Sequence, residues 1–348
     1  MNLDNWPKHI DKCLFQLKDN FFQLPYLYNS PEKMLEGLTY LPIAKHNIIK
    51  QFFSITSAFY KSKTYYKKID DGFWVLLTSM NIKENIVTIS NYDQHNINDY
   101  YFLNLSIFQY DFFVKDSKYV TLTNTTWTFN KPNTEVPNYF YNKTNGQIIS
   151  FAFKKDWVKK KLSSKTIKQK KAILQLLNNK RGFYRWTDIT PDTYNQAIDL
   201  SETIKNTQDF DLPHLKKKSI KLIVAFFENS FKDDRILENI SLSNSDYSKA
   251  ARAERIISNN LHLPFVGIEF IAQEVNTSAT KLKTLFKIVY GFSMLKYHKE
   301  KNMLLAKQLI VNPEINIQDI ATITGYDSPS RFASYYKKRF GELPSEAR

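Results

Sequence analysis

The sequence is poor in the residue that covalent cross-links and many metal centres need. Cys13 is the only cysteine among 348 residues, so neither an intramolecular disulfide nor a cysteine-based metal site can form. We expect Cys13 to be a buried apolar residue rather than a reactive thiol. Such low cysteine usage is typical of a reducing compartment, and we predict a cytoplasmic location.

Long hydrophobic runs are absent as well. The longest, LIVAFF at 222–227, is far shorter than the roughly 20 apolar residues that a membrane-spanning helix needs. The N-terminal segment MNLDNWPKHIDKCLFQLKDN lacks the apolar core of a secretory signal peptide. The sequence therefore predicts a protein with no membrane association.

Glycine is scarce, and the common catalytic motifs are missing. Only 8 glycines occur, and none forms a Gly-x-Ser-x-Gly, P-loop or dinucleotide-binding motif. Of the histidines, His46 and His95 fall in the strand-rich region and no His-x-His pair occurs, which argues against a cupin-type metal centre. We expect a protein that is not an enzyme and that has no catalytic residues, no metal and no cofactor.

Acidic residues are too few to balance the basic ones. Lysine and arginine number 49 against 34 acidic residues, which gives a net charge of +15 and an isoelectric point of about 9.4. An excess of this size favours an anionic partner, either nucleic acid or an acidic membrane surface. Solvated surface lysines produce the same charge, so the choice between partners depends on sequence patterns.

The first part of the chain is rich in strand-forming residues. Short segments of β-branched and aromatic residues follow one another between residue 37 and about residue 154, separated by Asn, Asp, Gly and Lys. This spacing predicts a barrel or a sandwich, whose interior is either plain core or a ligand cavity. We place a β-barrel-like, cupin-like domain for sensing or dimerisation at residues 1–160.

Helical patterns replace the strands after residue 154. Amphipathic stretches cover 155–179 and 211–231, and Thr190 followed by Pro191 is the N-cap and first-turn signal of another helix. The apolar stripes of these helices are either core or a surface that pairs with a second copy. We define residues 161–245 as a helical connector and expect a homodimer through the N-terminal domain or this connector.

The C-terminal part contains an internal repeat. IEFIAQEVNTSATKLKTLFKIVYGFS (268–293) matches IQDIATITGYDSPSRFASYYKKRFGELPS (317–345), with one additional residue in the second turn. Each copy has the pattern of a helix-turn-helix, in which a short helix with an inward alanine (Ala272, Ala321) precedes a longer helix. We predict two such units, at about 268–289 and 316–340, within an all-α domain at 246–348.

The second helix of each copy has a recognisable start and a recognisable buried face. Ser278 and Ser328 stand where an N-cap is required, because the next amides have no intrahelical acceptor. Pro329 fits the first helical position, where its missing N–H costs nothing. Apolar residues at helical spacing predict core positions at Leu282, Leu285 and Phe286 in the first copy, and at Phe332 and either Tyr335 or Tyr336 in the second.

The opposite face of each second helix carries side chains that can contact base edges in a major groove. These are Ala279, Thr280, Lys283 and Thr284 in the first copy, and Ser330, Arg331 and Ser334 in the second. Further basic residues are suited to phosphates, namely Lys287, Lys337, Lys338 and Arg339. One polar face is usually plain solvated surface, but two matched faces in a basic chain favour double-stranded DNA. A single helix over 292–312 would hold the units about one duplex turn, roughly 34 Å, apart.

These residues resemble the DNA-binding domain of the AraC/XylS transcription regulators. The resemblance rests on Ile271-Ala272, Ser278, Leu282, Phe286-Lys287, Gly291, Ser293, Tyr297, Ala306, Ile320-Ala321, Gly325-Tyr326, Ser330, Phe332, Lys337, Phe340-Gly341 and Pro344. It implies seven helices, two helix-turn-helix units and base contacts from the second helix of each. Many members also carry an N-terminal β-barrel for sensing and dimerisation, which this chain resembles more loosely. The resemblance implies a transcription regulator and favours an activator, with RNA polymerase and a small-molecule effector as candidate partners.

Three positions depart from the family pattern. Asn302 and Ser334 stand where the family usually has arginine, and Arg331 stands where an uncharged residue is more common. Our hypothesis is that Arg331 takes over base recognition locally. Two alternatives stay open: an N-terminal domain that is purely a protein-interaction module, and a less specific architectural DNA-binding protein.

Overall fold

The computed structural model describes residues 6–8, 16–92, 98–114, 118–161, 167–186, 189–206, 211–230, 238, 240–261 and 263–348. Cys13 and His95 lie outside these ranges. The chain divides into two compact units. The first unit comprises Met1–Gln109 and Asn124–Asn244, and the second comprises Tyr110–Thr123 and Ser245–Arg348.

The strands of the chain form two sheets. The smaller contains β1 (Leu17–Lys18), β2 (Phe21–Leu27), β7 (Ile86–Asn91) and β10 (Asn138–Phe140), in the order β1-β2-β7-β10. The larger contains β3 (Ala44–Asn47), β4 (Phe52–Thr56), β5 (Tyr60–Asp70), β6 (Phe73–Ile82), β8 (Tyr100–Val114), β9 (Lys118–Asn130), β11 (Thr144–Lys154) and β12 (Phe183–Trp186). Its order is β12-β9-β8-β11-β6-β5-β4-β3.

The first half of β6 is buried on both faces of the larger sheet, which explains its nearly unbroken apolar run. Alternate residues of a strand point to opposite faces. Phe73, Val75 and Leu77 therefore belong to one core cluster, whereas Trp74 and Leu76 belong to another.

Helices of the first unit cover one face of this sheet. They are α2 (Lys155–Lys161), α3 (Ile167–Asn178), α4 (Pro191–Asn206) and α5 (Leu212–Ser230), while α1 (Pro31–Thr39) packs near β2 and β3. Phe226 of α5 lies 5.4 Å from Trp127 and 5.0 Å from Trp186, measured between ring centroids. Apolar side chains of the predicted connector helices thus face the sheet core. Among the side chains that the structure describes there, Ile198 and Val224 are about one-third exposed.

The second unit contains a run of six helices. They are α6 (Asn244–Asn259), α7 (Ile268–Glu274), α8 (Ala279–Tyr290), α9 (Met294–Ile310), α10 (Ile317–Ile323) and α11 (Pro329–Phe340). A strand-rich N-terminal part and an all-α C-terminal part agree with the predicted fold class. Among the described residues, no helix is both long and apolar enough to cross a membrane.

Some local predictions are wrong. The strand-rich pattern starts with GLTYLPI (37–43), but the first three of these residues end α1, whose start is fixed by the Ser30 hydroxyl that accepts from Lys33 N at 3.2 Å. Two segments of the same pattern, YVTLTN (119–124) and TWTF (126–129), belong to one strand, β9. The pattern at 155–179 forms two helices, α2 and α3, rather than one.

Candidate nucleic-acid interface

The two copies of the repeat fold into matching helix-turn-helix units, α7 with α8 and α10 with α11. Thr277 N donates to Ala272 O at 3.0 Å, and Tyr326 N donates to Ala321 O at 2.9 Å, so the two turns start alike. Asn276 and Gly325, one residue earlier, both have a positive φ, of 53° and 76°. These correspondences identify Asp327 as the additional residue of the second turn.

Capping residues define both ends of α8 and α11, the second helices of the two helix-turn-helix units. The hydroxyls of Ser278 and Ser328 accept from Lys281 N and Arg331 N, each at 3.3 Å, and so satisfy amides that the helix leaves free. Pro329 occupies the first turn of α11. At the other ends, Gly291 and Gly341 have φ values of 80° and 86°, a left-handed conformation that glycine adopts without steric cost.

One face of each second helix is buried. In α8 the buried side chains include Leu282, Leu285 and Phe286. In α11 they are Phe332 and Tyr336, whereas Tyr335 is 47% exposed. The structure therefore resolves the choice between the two tyrosines in favour of Tyr336, because it lies four residues after Phe332 on the same helical face.

The opposite face of α8 is open. Ala279 is half-buried, while Thr280, Lys283, Thr284 and Lys287 are exposed. The Thr284 hydroxyl donates to Thr280 O at 3.3 Å, a local bond that can be exchanged for an external acceptor. Lys281, at the edge of this face, pairs with Asp246 of α6 at 2.9 Å.

The opposite face of α11 is open too, and it is more basic. Exposed side chains there are Ser330, Arg331, Ser334, Lys337, Lys338 and Arg339. The Arg331 guanidinium is 3.9 Å from the Asp327 carboxylate, and both side chains are strongly exposed, so this pair is weak. Arg339 differs from its neighbours, because its Nε donates to Glu300 of α9 at 2.8 Å.

The long helix α9 connects the two helix-turn-helix units. Its 17 residues span about 26 Å at the usual helical rise. Near its start, Tyr297 packs on Phe286 of α8 with ring centroids 5.3 Å apart. Near its end, Leu309 shares one buried cluster with Ile320 and Phe332. Helix α9 thus contributes side chains to the cores of both helix-turn-helix units. The helix predicted between the two copies of the repeat is confirmed.

Asn302 occupies the α9 position where the family resemblance leads one to expect arginine. Its side chain is 2% exposed, and its Nδ2 donates to Thr324 O at 3.1 Å. The Thr324 hydroxyl in turn donates to Ile320 O at 2.7 Å. Asn302 therefore supports the turn of the second unit from inside the fold, away from the exposed face of α11.

Two supporting residues could not be predicted from the sequence, because their partners are distant in the chain. Arg252 Nη2 of α6 donates to Glu274 O at the end of α7, at 3.1 Å. The Arg348 guanidinium donates to backbone carbonyls that lead into α10, including Asn312 O at 3.3 Å. No periodicity or motif in the sequence signals these contacts.

The described part of the chain offers no alternative site based on a metal. Within those residues, no group of three His, Cys, Asp or Glu side chains lies close enough to hold a metal ion. The polar features that the two units share are therefore hydrogen-bonding and cationic side chains on exposed helix faces.

Residues 271–348 match the protein family described as "Helix-turn-helix domain". The virulence regulon transcriptional activator VirF of Yersinia enterocolitica is 42% identical over 77 residues, which are 22% of this chain and 28% of VirF. The match thus spans little more than a quarter of that relative's length. Residues 271–348 therefore belong to a helix-turn-helix domain.

Two solved structures are also similar. An AraC-type regulator from Chromobacterium violaceum is 30% identical, with a TM-score of 0.27, over 29% of this chain and 88% of that one. ToxT from Vibrio cholerae is 15% identical, with a TM-score of 0.29, over 80% of this chain and 97% of that one.

Proposed function

We propose that the protein is a sequence-specific DNA-binding transcription regulator. Two matched helices, α8 and α11, each bury one face and expose a polar and basic face. Helix α9 contributes to the cores of both helix-turn-helix units. This arrangement carries the proposal, because rigidly joined recognition helices can enter successive major grooves on one side of a duplex. The net charge of +15 supports the electrostatic part of such binding.

The exposed residues divide by role. Ala279, Thr280, Lys283 and Thr284 of α8, and Ser330, Arg331 and Ser334 of α11, contact base edges under this proposal. Lys287, Lys337, Lys338 and Arg339 contact phosphates. Of this last set Arg339 contributes least, because its guanidinium already pairs with Glu300.

We further propose activation as the direction of control, supported by the similarity to VirF, a transcriptional activator by name. Activation brings RNA polymerase in as a partner. A function on chromosomal DNA implies a cytoplasmic, non-enzymatic protein. The region 1–160 then acts in sensing or dimerisation, 161–245 connects, and 246–348 binds DNA.

Selection of binding sites from a random DNA pool tests the proposal. The full chain should enrich one asymmetric sequence and bind it at least about 10³-fold more tightly than random DNA. Competition at several salt concentrations separates this function from an architectural one. An architectural protein would enrich no sequence, and its binding to every duplex would weaken equally with salt.

A further inference from the structure

Two cationic side chains are buried beside each other in the first unit. Lys131 follows β9 and is 8% exposed, and Arg181 precedes β12 and is 1% exposed. The strands bring them together, because β9 pairs with β12 and Lys131 N donates to Gly182 O at 2.8 Å. Buried cations are costly unless they are paired and hydrogen-bonded.

Most of their immediate partners are uncharged. Lys131 Nζ donates to the backbone and side-chain oxygens of Asn179, at 2.7 and 2.6 Å. Asn179 Nδ2 donates to the Tyr184 hydroxyl at 2.6 Å. The Arg181 guanidinium lies 5.1 Å from the centre of the Tyr184 ring. These contacts order both side chains without adding a negative charge.

The Glu238 carboxylate satisfies only part of the Arg181 guanidinium. Nη2 donates to Glu238 Oε2 at 2.5 Å, whereas Nε and Nη1 are buried with no hydrogen-bond partner within the described ranges. Glu238 is at the surface, with its side chain 47% exposed. Unsatisfied buried donors are unfavourable, and a guanidinium presents its N–H groups in a fork that matches two oxygens.

From this geometry we propose that Lys131 and Arg181 form a binding site for a small oxyanion, a carboxylate or a phosphate, which enters by displacing Glu238. The bound group takes the place of the Glu238 carboxylate and gives Arg181 a second acceptor oxygen. The bound group would lie beside two buried basic side chains, Lys131 and Arg181.

The local electrostatics agree with an anion site. Burial, with Lys155 and Arg181 nearby, lowers the pKa of Lys131 to about 7. An anion beside Lys131 would favour its protonated form. Binding is therefore accompanied by proton uptake at slightly alkaline pH.

Glu238 stands between α5 and α6 in the sequence. A role of the anion as an effector rests on the proposed function in transcription. The anion site itself does not rest on that function, because anion binding can be measured without DNA. A failure of the anion site and a failure of the proposed function in transcription can therefore be told apart.

Titration of the full-length chain with acetate, and separately with inorganic phosphate, tests the site against sodium chloride at equal ionic strength. Thermal unfolding and tryptophan fluorescence report binding, since the Trp186 ring stacks on Tyr184 at 5.4 Å. Glu238→Ala removes the internal competitor, which acts at an effective concentration of about mM or above, so we expect binding about tenfold tighter or more. Glu228→Ala, at an exposed position of α5, is the matched control and should behave as wild type.

The response to the two anions identifies the ligand class: acetate alone indicates a carboxylate, and phosphate alone indicates a phosphate. If Glu238→Ala responds to neither anion beyond the chloride control, the proposal is wrong. It is also wrong if the double variant Arg181→Gln, Glu238→Ala folds and binds as tightly as Glu238→Ala. Should the double variant not fold, the comparison between Glu238→Ala and Glu228→Ala still decides.

Discussion

Substitution of Arg331 is the most direct single test of base recognition by the second helix-turn-helix unit. Its side chain is 75% exposed on α11, and its nearest acidic partner, Asp327, is 94% exposed at 3.9 Å. Such a pair contributes about 0.3–0.5 kcal/mol to folding. Arg331→Ala should therefore leave the fold intact, so that any change in DNA binding reports on contact with DNA.

The expected loss follows from what an arginine can recognise. A bidentate contact to a guanine is worth about 1–3 kcal/mol of discrimination, which is roughly a 5- to 150-fold change in the ratio of specific to random affinity. Lys337→Ala is the matched control on the same exposed face. As a phosphate contact, Lys337 should weaken binding to every sequence and reduce the salt slope by about 1.

Fluorescence anisotropy with the selected site and with random DNA, at several salt concentrations, measures both quantities. Arg331→Ala should lower the ratio of the two affinities and leave the salt slope nearly unchanged. An equal loss on both DNAs would refute base recognition by Arg331 and make it another phosphate contact.

Three further predictions concern stability. Ser328→Ala should destabilise the second unit by about 1 kcal/mol, because it removes the N-cap of α11, whereas Ser328→Gly should cost only a few tenths of that in urea unfolding. Tyr326→Phe should leave the free energy of unfolding unchanged or raise it by up to about 1 kcal/mol, since among the described residues the buried Tyr326 hydroxyl has no hydrogen-bond partner; a clear loss would contradict this. Lys131 has a folded-state pKa of about 7 against an ordinary 10.5, so the unfolded chain binds more protons between these values and stability from this group rises with pH there; Lys131→Met should flatten the slope of unfolding free energy against pH between about 7 and 10 relative to wild type.

The helix-turn-helix units were predictable because their signals are local. Ser328 followed by Pro329 marks a helix start within two residues, and glycine at 291 and 341 marks the ends. The repeat then supplied the serine and glycine signals twice. The Ser-Pro pattern also stands at Ser30 and Pro31, where it starts α1.

Contacts between distant segments were not predictable. Asn302 supports a carbonyl 22 residues away, and only the packing of α9 against the second turn brings the two together. Lys131 and Arg181 meet because β9 pairs with β12, a short strand that no alternation in the sequence reveals. A charged residue in such a position is indistinguishable, in the sequence alone, from a solvated one.

Base-by-base methylation interference on the selected DNA site tests directly whether two recognition helices occupy successive major grooves. We expect two clusters of major-groove contacts on one side of the duplex, centred about 10 base pairs apart. Substitutions at Lys283 of α8 should remove contacts from one cluster only, and substitutions at Arg331 of α11 from the other only. A single cluster, or contacts spread evenly along the backbone with no response in the major groove, would contradict it.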